Sequence, residues 1–164
     1  MYTINAVCTG NICRSAMAEV ILRDTISKRG LSDVIQVKSS GVSSEEHGHD
    51  IDRRAKKVLA EHGYNIPTDH FAHKITSQEI EDTDLFLPMT YSHYSRLISI
   101  LPAAKRENSQ IFMYRGFESK PISEPSASID LIDPWYGTIA DFEIAIEQIE
   151  ASADAIIAFA EIEL

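Results

Sequence analysis

Short β-prone runs alternate with longer segments of helical spacing along this chain, and that alternation narrows its fold more than any other property. Residues 2–7, 34–37, 85–87 and 110–114 read as strands. Residues 15–29 carry Met17, Ala18, Ile21, Leu22 and Ile26 at helical spacing and stop at Gly30. Residues 52–62 carry Ala55, Val58 and Leu59 on one face and stop at Gly63. A short helix over 77–82 takes Ser77 as its cap, and a longer one over 91–101 ends before Pro102. From Thr138 onward, Phe142, Ala145, Ile149, Ala153, Ile156 and Ala160 form an inner stripe, with Asp141, Glu143, Glu147, Glu150 and Asp154 outside it. Ser39-Ser40-Gly41 reads as a turn. Residues 115–133 hold Pro121, Pro125 and several serines, and read as a long surface loop.

Strands alternating with helices imply right-handed crossovers and a parallel sheet covered on both faces, a doubly wound α/β fold of three layers. Ligands bind such sheets beyond the carboxyl ends of the strands. That rule gathers the Val7-Cys8 junction, the Ser39–Gly41 segment and the loop before Asp133 in one place. At 164 residues the chain suits a single domain, 1–164, and its 44 % of apolar residues can fill one core. No apolar run approaches the roughly 18 residues of a membrane span. Met1 to Asn5 show no basic segment followed by an apolar one, so no secretory leader is expected. Two cysteines, Cys8 and Cys13, are too few for a disulfide framework and suit a reducing, cytoplasmic setting. The net charge of −10 repels nucleic acid and anionic lipid, so neither is an expected partner.

Chemistry concentrates in Cys8-Thr9-Gly10-Asn11-Ile12-Cys13-Arg14-Ser15, between a strand end and a helix start. Amides at a helix N-terminus are unpaired, and a loop entering it can wrap the amides of residues 9–14 around an anion. Gly10 is expected to adopt a backbone conformation that a Cβ would hinder. Arg14 supplies a planar donor fork for two phosphate oxygens. Cys8 sits at the bottom of the same cup, where the field that binds phosphate also favours thiolate over thiol. Ser15 can donate a hydrogen bond to that thiolate, and Asn11 can tie the loop to its neighbours. Cys13 is near enough in sequence to trap oxidised Cys8 as a reversible disulfide.

The octet resembles the signature loop of the low-molecular-weight protein tyrosine phosphatases, Cys-x-Gly-Asn-x-Cys-Arg-Ser, at every fixed position. Met17-Ala18-Glu19 continues the likeness, with Ala16 where proline is usual. Ser39 falls where the family has a serine bonded to the loop, and Asp52-Arg53-Arg54-Ala55 through His62-Gly63 resembles its second helix. The resemblance implies a four-stranded sheet in the order 2-1-3-4. It also implies that Asn11, Ser15, Ser39 and His70 hold the loop open. Asp133-Pro134-Trp135-Tyr136-Gly137 resembles the family's Asp-Pro-Tyr-Tyr-Gly. By that likeness Asp133 protonates the leaving oxygen, while Ile12, Trp135 and Tyr136 wall the substrate cleft. The implied reaction needs no metal or cofactor. It takes a tyrosine-phosphorylated protein, releases inorganic phosphate, and is run by a monomer or weak homodimer.

Several positions depart from the pattern. Glu45 stands where an aromatic wall is frequent and brings negative charge to the cleft. Thr90 replaces an aspartate, Pro88 lies in a strand end where it donates no ladder hydrogen bond, and His73-Lys74 replaces a segment with an arginine. Arsenate reductases of this fold need further cysteines, and none follows Cys13. Phosphoarginine phosphatases of the family have a small polar residue at the place of Ile12. A phosphate-binding domain without catalysis would not need Cys8, Arg14, Ser15 and Asp133 together. A zinc module drawn from Cys8, Cys13, His47 and His49 has the wrong cysteine spacing.

Overall fold

The first run becomes strand β1 (Tyr2–Cys8), although Thr3 and Asn5 interrupt its apolar character. One oxygen of each side chain finds a partner in the neighbouring strand: Gln36 Nε2 donates to Thr3 Oγ1 at 2.8 Å, and Ser40 Oγ donates to Asn5 Oδ1 at 2.9 Å. The computed structural model describes residues 1–164. After β1 come α1 (Arg14–Lys28), β2 (Ile35–Gly41), α2 (Arg53–Glu61), α3 (Ser77–Asp82), β3 (Leu85–Pro88), α4 (Tyr91–Ile100), α5 (Ala103–Asn108), β4 (Gln110–Ile111) and α6 (Ile139–Ile162). All pairings are parallel, in the order β2-β1-β3-β4, which bears out the expected sheet. No helix is long and apolar enough to cross a membrane.

Side chains alternate across β3 and so divide the interior. Leu85 and Leu87 join the large core with β1, α1, α2 and α6, while Phe86 faces Ile75, Leu97 and Leu101 beneath α4. The wholly buried Phe86 is worth about 1.5–3 kcal/mol over an exposed one. Helices therefore cover both faces.

Several boundaries differ from the sequence reading. Ser39-Ser40-Gly41 is the end of β2 and not a turn: it continues the ladder to Cys8↔Gly41 because both serine hydroxyls are bonded. The cap of α3 is Thr76, whose Oγ1 accepts from Glu79 N at 3.1 Å, so Ser77 lies inside the helix. The expected strand over 110–114 shrinks to two residues, since Tyr114 turns into a 3₁₀ segment and buries itself with its hydroxyl on Ile149 O. Residues 103–108, which the sequence pattern assigns to no element, form α5. Residues 115–133 are not all surface: Phe117 packs against Phe112 and Phe159, and Leu131 is buried. Pro88 is tolerated because Leu87 and Met89 face β1, with Met89 N on Val7 O, while its own missing N–H faces the side where β4 has already ended.

Candidate active site

The loop between β1 and α1 is held from outside by three separate segments. Cys8 O accepts from Val42 N at 2.9 Å, Thr9 O from Ser43 N at 3.1 Å, and Ile12 O from Asp52 N at 2.9 Å. Asn11 O accepts from His70 Nε2 at 2.7 Å. In a planar trans peptide the N–H points opposite to the C=O, so each carbonyl drawn outward turns the next amide inward. No amide of residues 9–13 donates to another protein group. The result is a ring of free donors at the N-terminus of α1.

Cys8 lies at the base of this ring with its Sγ 3.0 Å from Ser15 Oγ. Asn11 supports both sides of it, because its Nδ2 donates to Ser15 Oγ and to Ser39 Oγ, each at 2.9 Å. Asn11 is also the one non-glycine residue with positive φ, at 63°. The expected conformational demand thus falls on Asn11, which tolerates the left-handed region. Gly10 has an ordinary φ and is needed for space: a Cβ there would lie 2.8 Å from Glu46 Cγ. Arg14 is buried, donates to Leu131 O at 3.2 Å, and lies 3.4 Å from Asp133 Oδ2. One cleft is lined by Cys8, Thr9, Gly10, Ile12, Cys13 and Arg14 at its base and by Glu45, Glu46, Asp133, Trp135 and Tyr136 at its rim.

A family model for low molecular weight phosphotyrosine protein phosphatase matches residues 3–163. This chain belongs to that family. It is 36 % identical to a low molecular weight protein-tyrosine phosphatase A of Mycobacterium bovis, over 91 % of this chain and 85 % of the relative. A protein tyrosine phosphatase structure from Entamoeba histolytica superposes with a TM-score of 0.86 at 27 % identity, covering 100 % of both chains. An arginine phosphatase from Geobacillus stearothermophilus superposes at 0.80 and 27 % identity, covering 99 % of this chain and 95 % of the other. Members of the low-molecular-weight phosphatase family are cysteine-based phosphoric monoester hydrolases, and this chain is one of them.

Ser39 and His70, expected to hold the phosphatase loop open, both lie behind it. Ser39 accepts from Asn11 and donates to Glu19 Oε2 at 3.1 Å. His70 is on the loop's outer side, with Nδ1 4.0 Å from Glu19. Cys13 and Cys8 are both free thiols, and burial pushes the Cys13 thiol up, with Asp52 adding to it. His47 and His49 stay apart from the cysteines: His49 Nδ1 is 2.6 Å from Glu46 Oε2, and His47 packs edge-on to Phe71.

Four supporting residues escaped the sequence reading. Glu19 follows Ser15 by one helical turn, a spacing that puts both on one face; burial pushes its carboxyl up. His73 donates its backbone N toward Asn11 Oδ1 at 3.4 Å and pairs with Glu79 at 2.8 Å. Arg54 positions the acid loop, donating to Trp135 O at 3.1 Å and Gly137 O at 3.2 Å beneath the indole. His93, from α4, reaches Thr9 Oγ1 at 2.7 Å, and no motif in the sequence marks it.

Proposed function

We propose that this phosphatase hydrolyses phosphotyrosine in proteins, and aryl phosphates generally, through a phosphocysteine intermediate. The observation that carries the reading is the ring of unpaired amides closed by Arg14 around Cys8, with Asp133 at its rim. The Cys8 thiolate attacks phosphorus in line, so an S–P bond forms as the P–O bond to tyrosine breaks. The amides and Arg14 hold the equatorial oxygens where charge builds. Asp133 gives its proton to the departing phenolic oxygen. In the second half, water attacks phosphorus while the Asp133 carboxylate takes a proton from that water, the S–P bond breaks to return the Cys8 thiolate, and inorganic phosphate leaves. Ser15, 3.0 Å from the sulfur, stabilises the thiolate at the start and end of the cycle. Ile12, Trp135 and Tyr136 give the tyrosine ring apolar walls. Peroxide oxidation of Cys8 to a sulfenic acid would be followed by attack of the Cys13 thiol, releasing water and leaving a disulfide that a dithiol reverses.

Phosphoarginine is the second reading, favoured by Glu45 and Glu46 at the cleft mouth, whose carboxylates suit a guanidinium. Ile12 offers such a substrate no polar contact, which weighs toward phosphotyrosine. The test is turnover of para-nitrophenyl phosphate in EDTA, with phosphotyrosine and phosphoarginine peptides compared side by side. Wild type should turn over and Cys8→Ser should not; activity surviving in Cys8→Ser would remove the mechanism. A higher kcat/KM on phosphoarginine would replace the substrate assignment. A near-normal rate of Asp133→Asn on phosphotyrosine peptide would remove the acid role alone.

A further inference from the structure

His93 is a buried titratable group for which the reaction above has no use. It stands in the first turn of α4, is 4 % exposed, and its backbone N donates to the cap residue Thr90 at 3.2 Å. Its Nε2 lies 2.7 Å from Thr9 Oγ1, and its Nδ1 is buried with no partner.

We propose that His93 is a positioning residue that donates Nε2–H to Thr9 Oγ1 and thereby fixes the amide ring that receives the phosphoryl group. The proposal rests on the phosphatase reading of that ring. Thr9 is the first residue after the nucleophile. Its carbonyl is already held by Ser43 N, so a tie on the side chain fixes the remaining freedom of the residue. Threonine is branched at Cβ, and holding its hydroxyl selects one χ1 rotamer. Thr9 is then pinned at both backbone and side chain, and the Gly10 amide that follows it keeps its inward direction.

The direction of the bond follows from burial. A proton on Nδ1 would bury an unpartnered N–H, whereas a proton on Nε2 leaves only a bare lone pair there; the second costs less. Burial, with the Arg14 and Arg96 guanidinium groups nearby, pushes the imidazole down to about 3, so the ring remains neutral at working pH. A neutral ring can donate to Thr9 and leaves Arg14 as the fixed cation of the cup.

The experiment measures inorganic phosphate binding by calorimetry and kcat/KM on para-nitrophenyl phosphate for His93→Leu, His93→Gln, Thr9→Val and the Thr9→Val/His93→Leu double variant. Each of His93→Leu and Thr9→Val should weaken phosphate binding and lower kcat/KM about tenfold, the loss of one well-made hydrogen bond. The double variant should be no worse than either single one. His93→Gln, which can place an N–H donor near the Nε2 position, should recover most of the loss. Multiplied losses in the double variant would overturn the proposal, and so would unchanged phosphate affinity in Thr9→Val with only a lower Tm. If His93→Leu does not fold, phosphate affinity of Thr9→Val decides alone. A wild type that binds phosphate without turning over para-nitrophenyl phosphate would refute the phosphatase reading and leave the binding arm to judge His93.

Discussion

Replacing Asn11 separates the two tasks that this residue performs. Its side chain gives two hydrogen bonds of 2.9 Å to Ser15 and Ser39, and its backbone sits at φ 63°. A neutral buried hydrogen bond contributes about 1 kcal/mol net, so losing both costs about 2 kcal/mol. Alanine carries the same Cβ as asparagine but none of the short polar side chain that lets asparagine visit the left-handed region, which costs about 1 kcal/mol more. Asn11→Ala should therefore lose about 3 kcal/mol, a fall in Tm of about 6–12 °C for a chain of this size. Asn11→Gly accepts the φ but supplies no donors, so it should recover about 1 kcal/mol of stability. Activity should not follow stability: in both variants Ser15 loses the bond that aims its hydroxyl at Cys8, and kcat should fall together. Thermal melts and steady-state rates on para-nitrophenyl phosphate read the two effects separately. Wild-type kcat in Asn11→Gly would refute the claim that the amide side chain organises the cup. An Asn11→Ala melt within about 1 °C of wild type would refute the energetic argument.

Three further outcomes are expected. His62 is clamped between Glu143 and Glu150 at 2.9 Å each, and the hydrogen bond to Glu143 raises its pKa from 6.5. Its stabilising effect is complete below about 6.5 and fades as the pH climbs through the raised value, so the Tm gap between wild type and His62→Gln should be widest near pH 6 and narrow as the pH rises further. A gap that widens with pH would contradict this assignment. Gly41 lies opposite Cys8 in the ladder, and a Cβ there would collide with the Thr9 carbonyl, so Gly41→Ala should lower kcat/KM more than ten-fold; native kinetics would show that the loop yields freely. Glu45→Lys should raise kcat/KM on acidic phosphotyrosine peptides and lower it on basic ones at low salt, with the difference shrinking at high salt; identical rates in both salts would show that the rim charge is not felt.

Much of this architecture is legible from spacing and local chemistry. The loop is a contiguous octet, so its strand-end and helix-start context could be read directly. Asp133 is remote, and only its likeness to a known segment tied it to Cys8. Residues that depend on three-dimensional return were invisible. Arg54 stands in the stretch that resembles the family's second helix with nothing to mark its role, yet it lies under Trp135 and Phe142. The Ser39–Gly41 segment has turn-like composition, and it stays extended because β1 supplies backbone partners and Asn5, Asn11 and Glu19 supply side-chain ones. Strand propensity is set by such neighbours more than by residue type. The 110–114 run has the apolar character of a strand, but its contact with β3 ends at the bond from Phe112 N to Phe86 O.

The net charge of −10 looks ill suited to a site that binds a phosphate dianion. Its distribution resolves the conflict. Helix α6 carries Asp141, Glu143, Glu147, Glu150, Asp154 and Glu161 with no lysine or arginine. Glu143 and Glu150 hold His62, Glu150 also accepts from Tyr64 at 2.6 Å, and Glu161 pairs with Arg29 at 2.7 Å. Half of these acids therefore dock α6 to the rest of the fold. Salt screens exposed charges beyond about 8 Å under physiological conditions, so the buried Arg14 and the unpaired amides decide what the cup binds. The acids that do reach the site are Asp133, Glu45 and Glu46 at its rim. A bound phosphoryl group would compete with Asp133 for the Arg14 fork. Glu45 and Glu46 would discourage an acidic flank without touching the phosphorus, so overall charge bears on which chain approaches and Arg14 on what is held.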